Sequence, residues 1–254
     1  MTILGLLETD TLYDDLIPDY GSYGQMFARF FDGLDGDPNN KLKYRYYQVQ
    51  QGELPKDIAE CDAYLITGSK AGVYDAIPWI TSLQSWITDF HRQRAKLIGI
   101  CFGHQILAHS LGGQAAKSGK GWGIGVHTTT LLVGDSQIDN RVTSKGNHYD
   151  NDFIKKGSPL RLLYSHQDQV LKLPTEAQLL AGSDFCQYAA FKIGERVLSF
   201  QGHPEFTPRY LQRLLGRRRS VIGEKVFSDA MASLDQDTDA EQVGHWLIGF
   251  IKDN

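Results

Sequence analysis

Apolar positions over roughly the first 110 residues alternate between short continuous runs and longer stretches of helical spacing, the order of βαβ units around a parallel sheet. Ile3 to Leu7 reads as a first strand. Gln25 to Leu34 follows as a helix with Met26, Phe27, Phe30, Phe31 and Leu34 on one face. Tyr44 to Val49 predicts a second strand, and Ala63 to Thr67 a third that ends in the turn Gly68-Ser69. Pro78 suits the first position of a helix reaching about Arg92, with Trp79, Leu83, Trp86, Ile87 and Phe90 as its core-facing aromatics and aliphatics. The run Leu97 to Ile100 is a buried strand that stops at Cys101, and Gly103 to Leu111 is a helix ended by Gly112-Gly113.

Beyond this point the pattern changes. Gly123 to about Val133 alternates and is rich in Thr and Val, and Leu160 to Tyr164, Gln187 to Phe191 and Val197 to Phe200 are further strand-like runs. Together they predict an antiparallel extension of an open, mainly parallel α/β sheet with helices on both faces. Thr207-Pro208 has the form of an N-cap followed by proline, and Thr238-Asp239-Ala240-Glu241 that of a capping box. The last helix carries Val243, Trp246, Leu247, Phe250 and Ile251 on one stripe. Arg217-Arg218-Arg219, with Arg209 and Arg213 upstream, reads as a solvated helix face or a docking patch. No long Pro, Gly or Ser-rich linker and no repeat interrupts residues 1–254, so a single domain is expected.

Composition narrows the function. A net charge of −4 lacks the basic excess that phosphate neutralisation needs, so no nucleic-acid partner is expected. Three scattered cysteines, Cys61, Cys101 and Cys186, do not make a disulfide framework and point to a reducing compartment. The opening MTILGLLETD lacks the basic start of a signal peptide, and no apolar run approaches the ~20 residues of a membrane span. A cytoplasmic protein with no membrane partner is the expectation.

The segment Gly99-Ile100-Cys101-Phe102-Gly103 is a G-x-C-x-G at a predicted strand-to-helix junction, the thiol analogue of a nucleophile elbow. Glycines on either side let strand and helix pack closely around the turn. A sulfur at a helix N-terminus faces unpaired N–H groups and the positive end of the dipole, which favour thiolate. Cys61 and Cys186 have no such context and are expected to be inert. A thiolate nucleophile needs a partner that both holds a proton and returns it to the leaving group, and histidine suits both roles. His203 follows a strand-like run, and Glu205, two residues on, projects to the same side of an extended chain. Taken alone, H-x-E spacing also occurs on ordinary surfaces. It opens some zinc sites too, but no C-x-x-C follows, and His104 and His109 are not on one helix face. Gly119 to Gly125, GKGWGIG, has neither dinucleotide nor Walker spacing. No metal and no cofactor are expected. His91, His127, His148 and His245 read as ordinary polar positions.

GICFGHQILAHSLGG resembles the nucleophile segment of class I glutamine amidotransferases, and Gln201-Gly202-His203-Pro204-Glu205 resembles the family's second motif. The resemblance covers roughly residues 45 to 210 and implies a flavodoxin-like fold with a Cys101, His203 and Glu205 triad. It also implies an oxyanion hole from the backbone N–H of Phe102 and from Gly68 and Ser69. Thr67 stands where many members have a further glycine. By the same resemblance Gln105, Trp122, Ser165, His166, Gln167 and Asp168 line the pocket for the glutamyl group. The His-Gln-Asp-Gln-Val wording is similar to stand-alone proteins like the glutaminase half of GMP synthase and to plant-type γ-glutamyl peptidases. What the resemblance implies is hydrolysis of glutamine to glutamate and ammonia through a γ-glutamyl thioester, with a separate synthetase or ammonia acceptor as partner. The alternative is a free-standing peptidase for γ-glutamyl peptides or glutathione conjugates, and a third reading is a non-catalytic regulatory module.

Overall fold

The computed structural model describes residues 2–34, 41–133 and 155–253. In chain order the elements are β1 (Ile3–Glu8), α1 (Ile17–Tyr20), α2 (Tyr23–Leu34), β2 (Lys43–Gln48), β3 (Ala63–Ile66), α3 (Pro78–Arg92), β4 (Leu97–Ile100) and α4 (Phe102–Ser110). There follow β5 (Gln114–Lys117), β6 (Gly123–Leu131), β7 (Pro159–His166), β8 (Asp168–Lys172), β9 (Ala177–Gly182), β10 (Ala190–Ile193) and β11 (Val197–Phe200). Three helices, α5 (Pro208–Ile222), α6 (Glu224–Ser233) and α7 (Ala240–Lys252), complete the described chain.

Nine of these strands form one sheet in the order β2-β1-β3-β4-β11-β10-β9-β6-β7. The first five are mutually parallel, and β10, β9, β6 and β7 add antiparallel to one another. The continuous apolar runs have a direct cause: β3, β4 and β11 are buried at every position because helices cover both faces. On one face Phe27 and Phe31 of α2 and Val243, Trp246 and Leu247 of α7 pack on Leu4, Leu6, Ile98 and Phe200. On the other, α3 and α4 bring Ile80, Leu83, Ile87, Phe102 and Ile106 against Leu7, Ile66, Leu97 and Val197. A third apolar cluster joins α5 and α6 to Leu12, Leu16, Tyr23, Ile124 and Leu163. β2 is one edge, opposite β7, and its Lys43 and Arg45 give it a charged margin.

Several expectations shift. Trp79 lies at the margin of its core, partly buried beside Phe102. The strand expected from Gln187 begins instead at Ala190, because register with β11 runs from Ala190 opposite Phe200 to Ile193 opposite Val197. Ahead of it the chain turns, with the Ser183 N–H donating to the Cys186 carbonyl. β5 and β8 form a separate antiparallel ribbon that apolar pattern did not reveal; it sets Lys117 opposite Asp168. Thr207 caps α5 as expected, accepting from the Tyr210 N–H at 3.2 Å, with Pro208 following.

The capping box at Thr238 does not form. Asp239 is the N-cap of α7, and its side chain makes no cap bond to its own helix. Its carboxylate accepts from the Arg161 N–H at 2.6 Å while its N–H donates to the Arg161 carbonyl at 2.8 Å. The residue that local pattern assigns to the helix is therefore spent on anchoring α7 to β7. Asp239→Ala is expected to lower stability by about 1–2 kcal/mol, the cost of a charge-assisted bond to a buried-strand N–H. Thr238→Ala and Glu241→Ala should each stay within about 0.5 kcal/mol, as surface changes do. Urea unfolding of the three variants checks the contrast.

Candidate active site

β4 ends at Ile100 and α4 begins at Phe102, so Cys101 alone makes the turn. Its backbone sits at φ 56° and ψ −102°, a region that costs a residue with a Cβ about 1–3 kcal/mol. Three bonds hold it there. The Cys101 N–H donates to Phe200 on β11 at 2.9 Å, the Gly103 N–H to the Thr67 carbonyl at 3.1 Å, and the Gln105 N–H to the Cys101 carbonyl at 3.0 Å. A Cβ on Gly103 would strike the Ile66 carbonyl, and one on Gly99 would come within 2.5 Å of the Gly103 backbone. The flanking glycines are thus what lets α4 press onto β3 and β4.

His203 lies just past β11, where its N–H donates to the Leu163 carbonyl of β7 at 2.8 Å. Its Nδ1–H donates to Glu205 Oε1 at 2.8 Å, and its ring stacks on Phe206 with centroids 3.8 Å apart and planes 8° apart. The other edge of the ring lies beside the Cys101 side chain, both of them bordering Gly68. Both His203 and Glu205 are buried. Burial opposes the imidazolium, but the neighbouring Glu205 carboxylate and Cys101 sulfur outweigh it, and the His203 pKa is raised to about 10.

The turn after β3 closes on the same point. A Cβ on Gly68 would sit 3.0 Å from His203 Cε1 and 3.7 Å from Cys101 Cβ. Thr67, in place of a glycine, ties the turn down. Its Oγ1 accepts from the Thr9 N–H at 3.1 Å, and the Thr9 hydroxyl lies 3.1 Å from the Thr67 carbonyl and 3.0 Å from that of Gly68. The clasp fixes the loop to the end of β1. Ser69 lines the cleft, its Oγ accepting from the Ala71 N–H at 3.2 Å. Phe102, as the first residue of α4, has an N–H that its own helix does not satisfy.

Cys101 stands at the wall of a cleft of about 430 Å³. Gln105, Trp122, Ser165, His166, Gln167 and Asp168 all line it together with Ser69, whereas Gly68, Phe102, His203 and Glu205 lie behind the lining. Gln105 Nε2 donates to the Asp168 carbonyl at 2.8 Å and to Gln201 Oε1 at 3.1 Å. His166 Nδ1 bonds the Asp168 carbonyl at 2.8 Å, and burial drives its pKa down to about 3, so the ring is neutral. The Asp168 carboxyl is raised by burial, with the neighbouring Tyr74 acting against it. His104 is buried between Ser199 Oγ and the Tyr188 carbonyl, each at 2.9 Å, and burial takes it to about 3 as well. Cys61 and Cys186 are buried, and burial pushes both thiols up, Cys186 to about 12. His148 lies outside the described residues. Among the described residues, no three His, Cys, Asp or Glu side chains are grouped as metal ligands would be.

Residues the sequence did not nominate also line the cleft, notably Tyr13, Lys70, Tyr74, Lys117, Arg218 and Val221. Lys70 is ion-paired to Asp10 at 2.9 Å. Arg218 corrects the expectation of a wholly solvated basic face. Arg213 and Arg217 bind Asp19 and Asp15, and Arg219 binds Glu224, but Arg218 turns inward and donates to Ser165 Oγ at 3.0 Å. A signal was available: Arg218 stands three and four residues after the buried Leu215 and Leu214 and four before Ile222, on the inward stripe of α5.

Comparison with known proteins gives the family and the fold. The family model described as glutamine amidotransferase class-I matches residues 39–217. A γ-glutamyl peptidase 5 of Arabidopsis thaliana is 31% identical over 92% of this chain and 88% of its own. One subunit of a glutamine-hydrolysing GMP synthase from Methanothermobacter thermautotrophicus is 26% identical over 71% of this chain and 89% of its own. A glutamine amidotransferase crystal structure from Thermotoga maritima superposes with a TM-score of 0.73, covering 99% of each chain at 18% identity, which is a likeness of fold.

The buried histidines set a pH dependence of stability. His104 and His166 are held neutral, with folded pKa values near 3 against an ordinary 6.5, so their contribution is complete above about 6.5 and is lost as pH falls toward 3. Each adds a slope of about 1.4 kcal/mol per pH unit within that window. His203 has the opposite sign: raised to about 10, it contributes fully below about 6.5 and loses that contribution as pH rises through 10. Urea unfolding between pH 6.5 and 4 should therefore show a shallower slope in His104→Gln, by about one proton.

Proposed function

The chain belongs to the class I glutamine amidotransferase family, and on that premise we propose that it is a cysteine hydrolase of γ-glutamyl amides. The observation that carries the reading is Cys101 on the cleft with Gln105 and Asp168, beside a buried His203 whose Nδ1 is bonded to Glu205. Cys101 Sγ, as thiolate beside the His203 imidazolium, attacks the δ-carbon of the substrate. The carbonyl oxygen takes up the negative charge and is held by the N–H groups of Phe102 and of Gly68 or Ser69. As the C–N bond breaks, His203 gives its proton to the departing nitrogen, leaving a γ-glutamyl thioester and a neutral imidazole. That imidazole then takes a proton from water, the hydroxide adds to the thioester, and glutamate leaves as the thiolate reforms. Glu205 fixes the Nδ1–H tautomer and stabilises the imidazolium.

Two substrate readings stand. Glutamine, with ammonia passed to a separate synthetase, is favoured by the GMP synthase relative. We favour γ-glutamyl peptides. The γ-glutamyl peptidase relative matches more of the chain, and the cleft that Cys101 lines is also walled by Tyr13, Arg218 and Val221, which ammonia would not need. A free-standing peptidase is active without a partner, whereas a glutaminase that serves a synthetase is stimulated by one.

Glutamate release from glutamine and from γ-glutamyl peptides by the purified chain tests both readings. Cys101→Ala is expected to lose turnover to background with its unfolding midpoint little changed. Glu205→Gln should lower kcat by roughly 10²–10⁴-fold, since it removes the charge opposite the imidazolium. Wild-type rates in the Cys101 variant would end the hydrolase reading.

A further inference from the structure

Arg218 differs from three other arginines of its helix. Arg213, Arg217 and Arg219 each face a carboxylate, whereas Arg218 has no ion pair among the described residues and bonds only the uncharged Ser165 hydroxyl. A guanidinium has five N–H donors in a fork that fits a carboxylate in two-point fashion. Partly buried in the wall of a cleft, it keeps most of that capacity for whatever enters.

Its position indicates which part of a ligand it meets. α5 starts just after His203 and Glu205, and its Tyr210 packs edge-on against Phe206, which stacks under the His203 ring. Ser165, the partner of Arg218, lies two residues along β7 from Leu163, whose carbonyl takes the His203 N–H. That separation is roughly 7 Å along a strand. Arg218 thus stands on the α5 wall of the cleft, joined through Ser165 to the strand that also holds the His203 N–H. On the α4 side, Lys117 and Asp168 face each other across the β5 and β8 ribbon, one cation and one anion for the two charges of the glutamyl α-carbon. Lys117 and Asp168 match those two charges in sign, and Arg218 is a further positive charge in the same cleft. Val221, one turn along α5 and largely exposed, continues the same wall.

We propose that Arg218 is a specificity-determining residue that binds the carboxylate of the leaving amino acid or dipeptide, so that the preferred substrates are γ-glutamyl peptides with a free C-terminus. The assignment rests on the γ-glutamyl peptide reading above and deepens it. Ammonia has no carboxylate, so the same guanidinium would contribute nothing to the departure of ammonia from glutamine.

The test uses two matched pairs, γ-Glu-Gly with γ-Glu-glycinamide and γ-Glu-Cys-Gly with its C-terminal carboxamide. In the wild type, kcat/KM for the acid of at least one pair is expected to exceed that for the amide about tenfold or more, chiefly through KM. Arg218→Ala and Arg218→Gln should lower the acid by about 10–100-fold and remove the preference. A preference that persists in both variants, or none in the wild type with either pair, overturns the proposal; so does an equal loss on acid and amide, which marks a structural effect or contact with the glutamyl α-carboxylate. Should the wild type cleave none of the four compounds, the γ-glutamyl peptide reading itself falls, a result distinct from cleavage without preference.

Discussion

The chemistry proposed for this chain depends on how tightly the first turn of α4 is pressed against the ends of β3 and β4. Cys101 occupies a backbone conformation that a residue with a side chain avoids, and it does so because its neighbours leave no alternative. Its N–H is held by β11, its carbonyl by the first turn of its own helix, and the following glycine donates to Thr67 at the end of β3. The same Thr67 is clasped by Thr9 at the end of β1. Four adjacent strands therefore meet at one strained residue, and the sulfur is aimed by the sheet as a whole.

Electrostatics then separates the buried histidines by what surrounds them. His104 and His166 lie among uncharged partners, and burial keeps them neutral, which suits groups that brace α4 and the β7 to β8 turn. His203 is just as buried, but a carboxylate on one edge and a sulfur on the other hold a proton on it. One buried ring is ready to exchange a proton while its neighbours are not. The difference lies in the adjacent carboxylate and sulfur, not in exposure.

Much of this was legible in the sequence. The parallel half of the sheet is visible because β1, β3, β4 and β11 are buried on both faces and so read as unbroken apolar runs. The elbow is visible because only glycine fits at 99 and 103. Elements whose identity comes from pairing were hidden: β5, with the sequence Gln-Ala-Ala-Lys, has no strand signature until β8 lies beside it. At Asp239 the local pattern misleads, since tertiary anchoring to Arg161 displaces the helix cap. Arg218 was hidden by its neighbours, because a run of three arginines reads as a solvated face unless each is indexed against the Leu211, Leu214, Leu215 and Ile222 stripe.

The central claim is that the sulfur of Cys101 carries the γ-glutamyl group during turnover. Rapid acid quenching of the wild-type protein on a γ-glutamyl substrate, with a parallel reaction containing hydroxylamine, followed by peptide mass spectrometry, tests it most directly. The account predicts one glutamyl acyl group on the peptide bearing Cys101, with γ-glutamyl hydroxamate formed at the expense of glutamate. Acylation of Cys61 or Cys186 instead, or product formation with neither adduct nor hydroxamate, would contradict it.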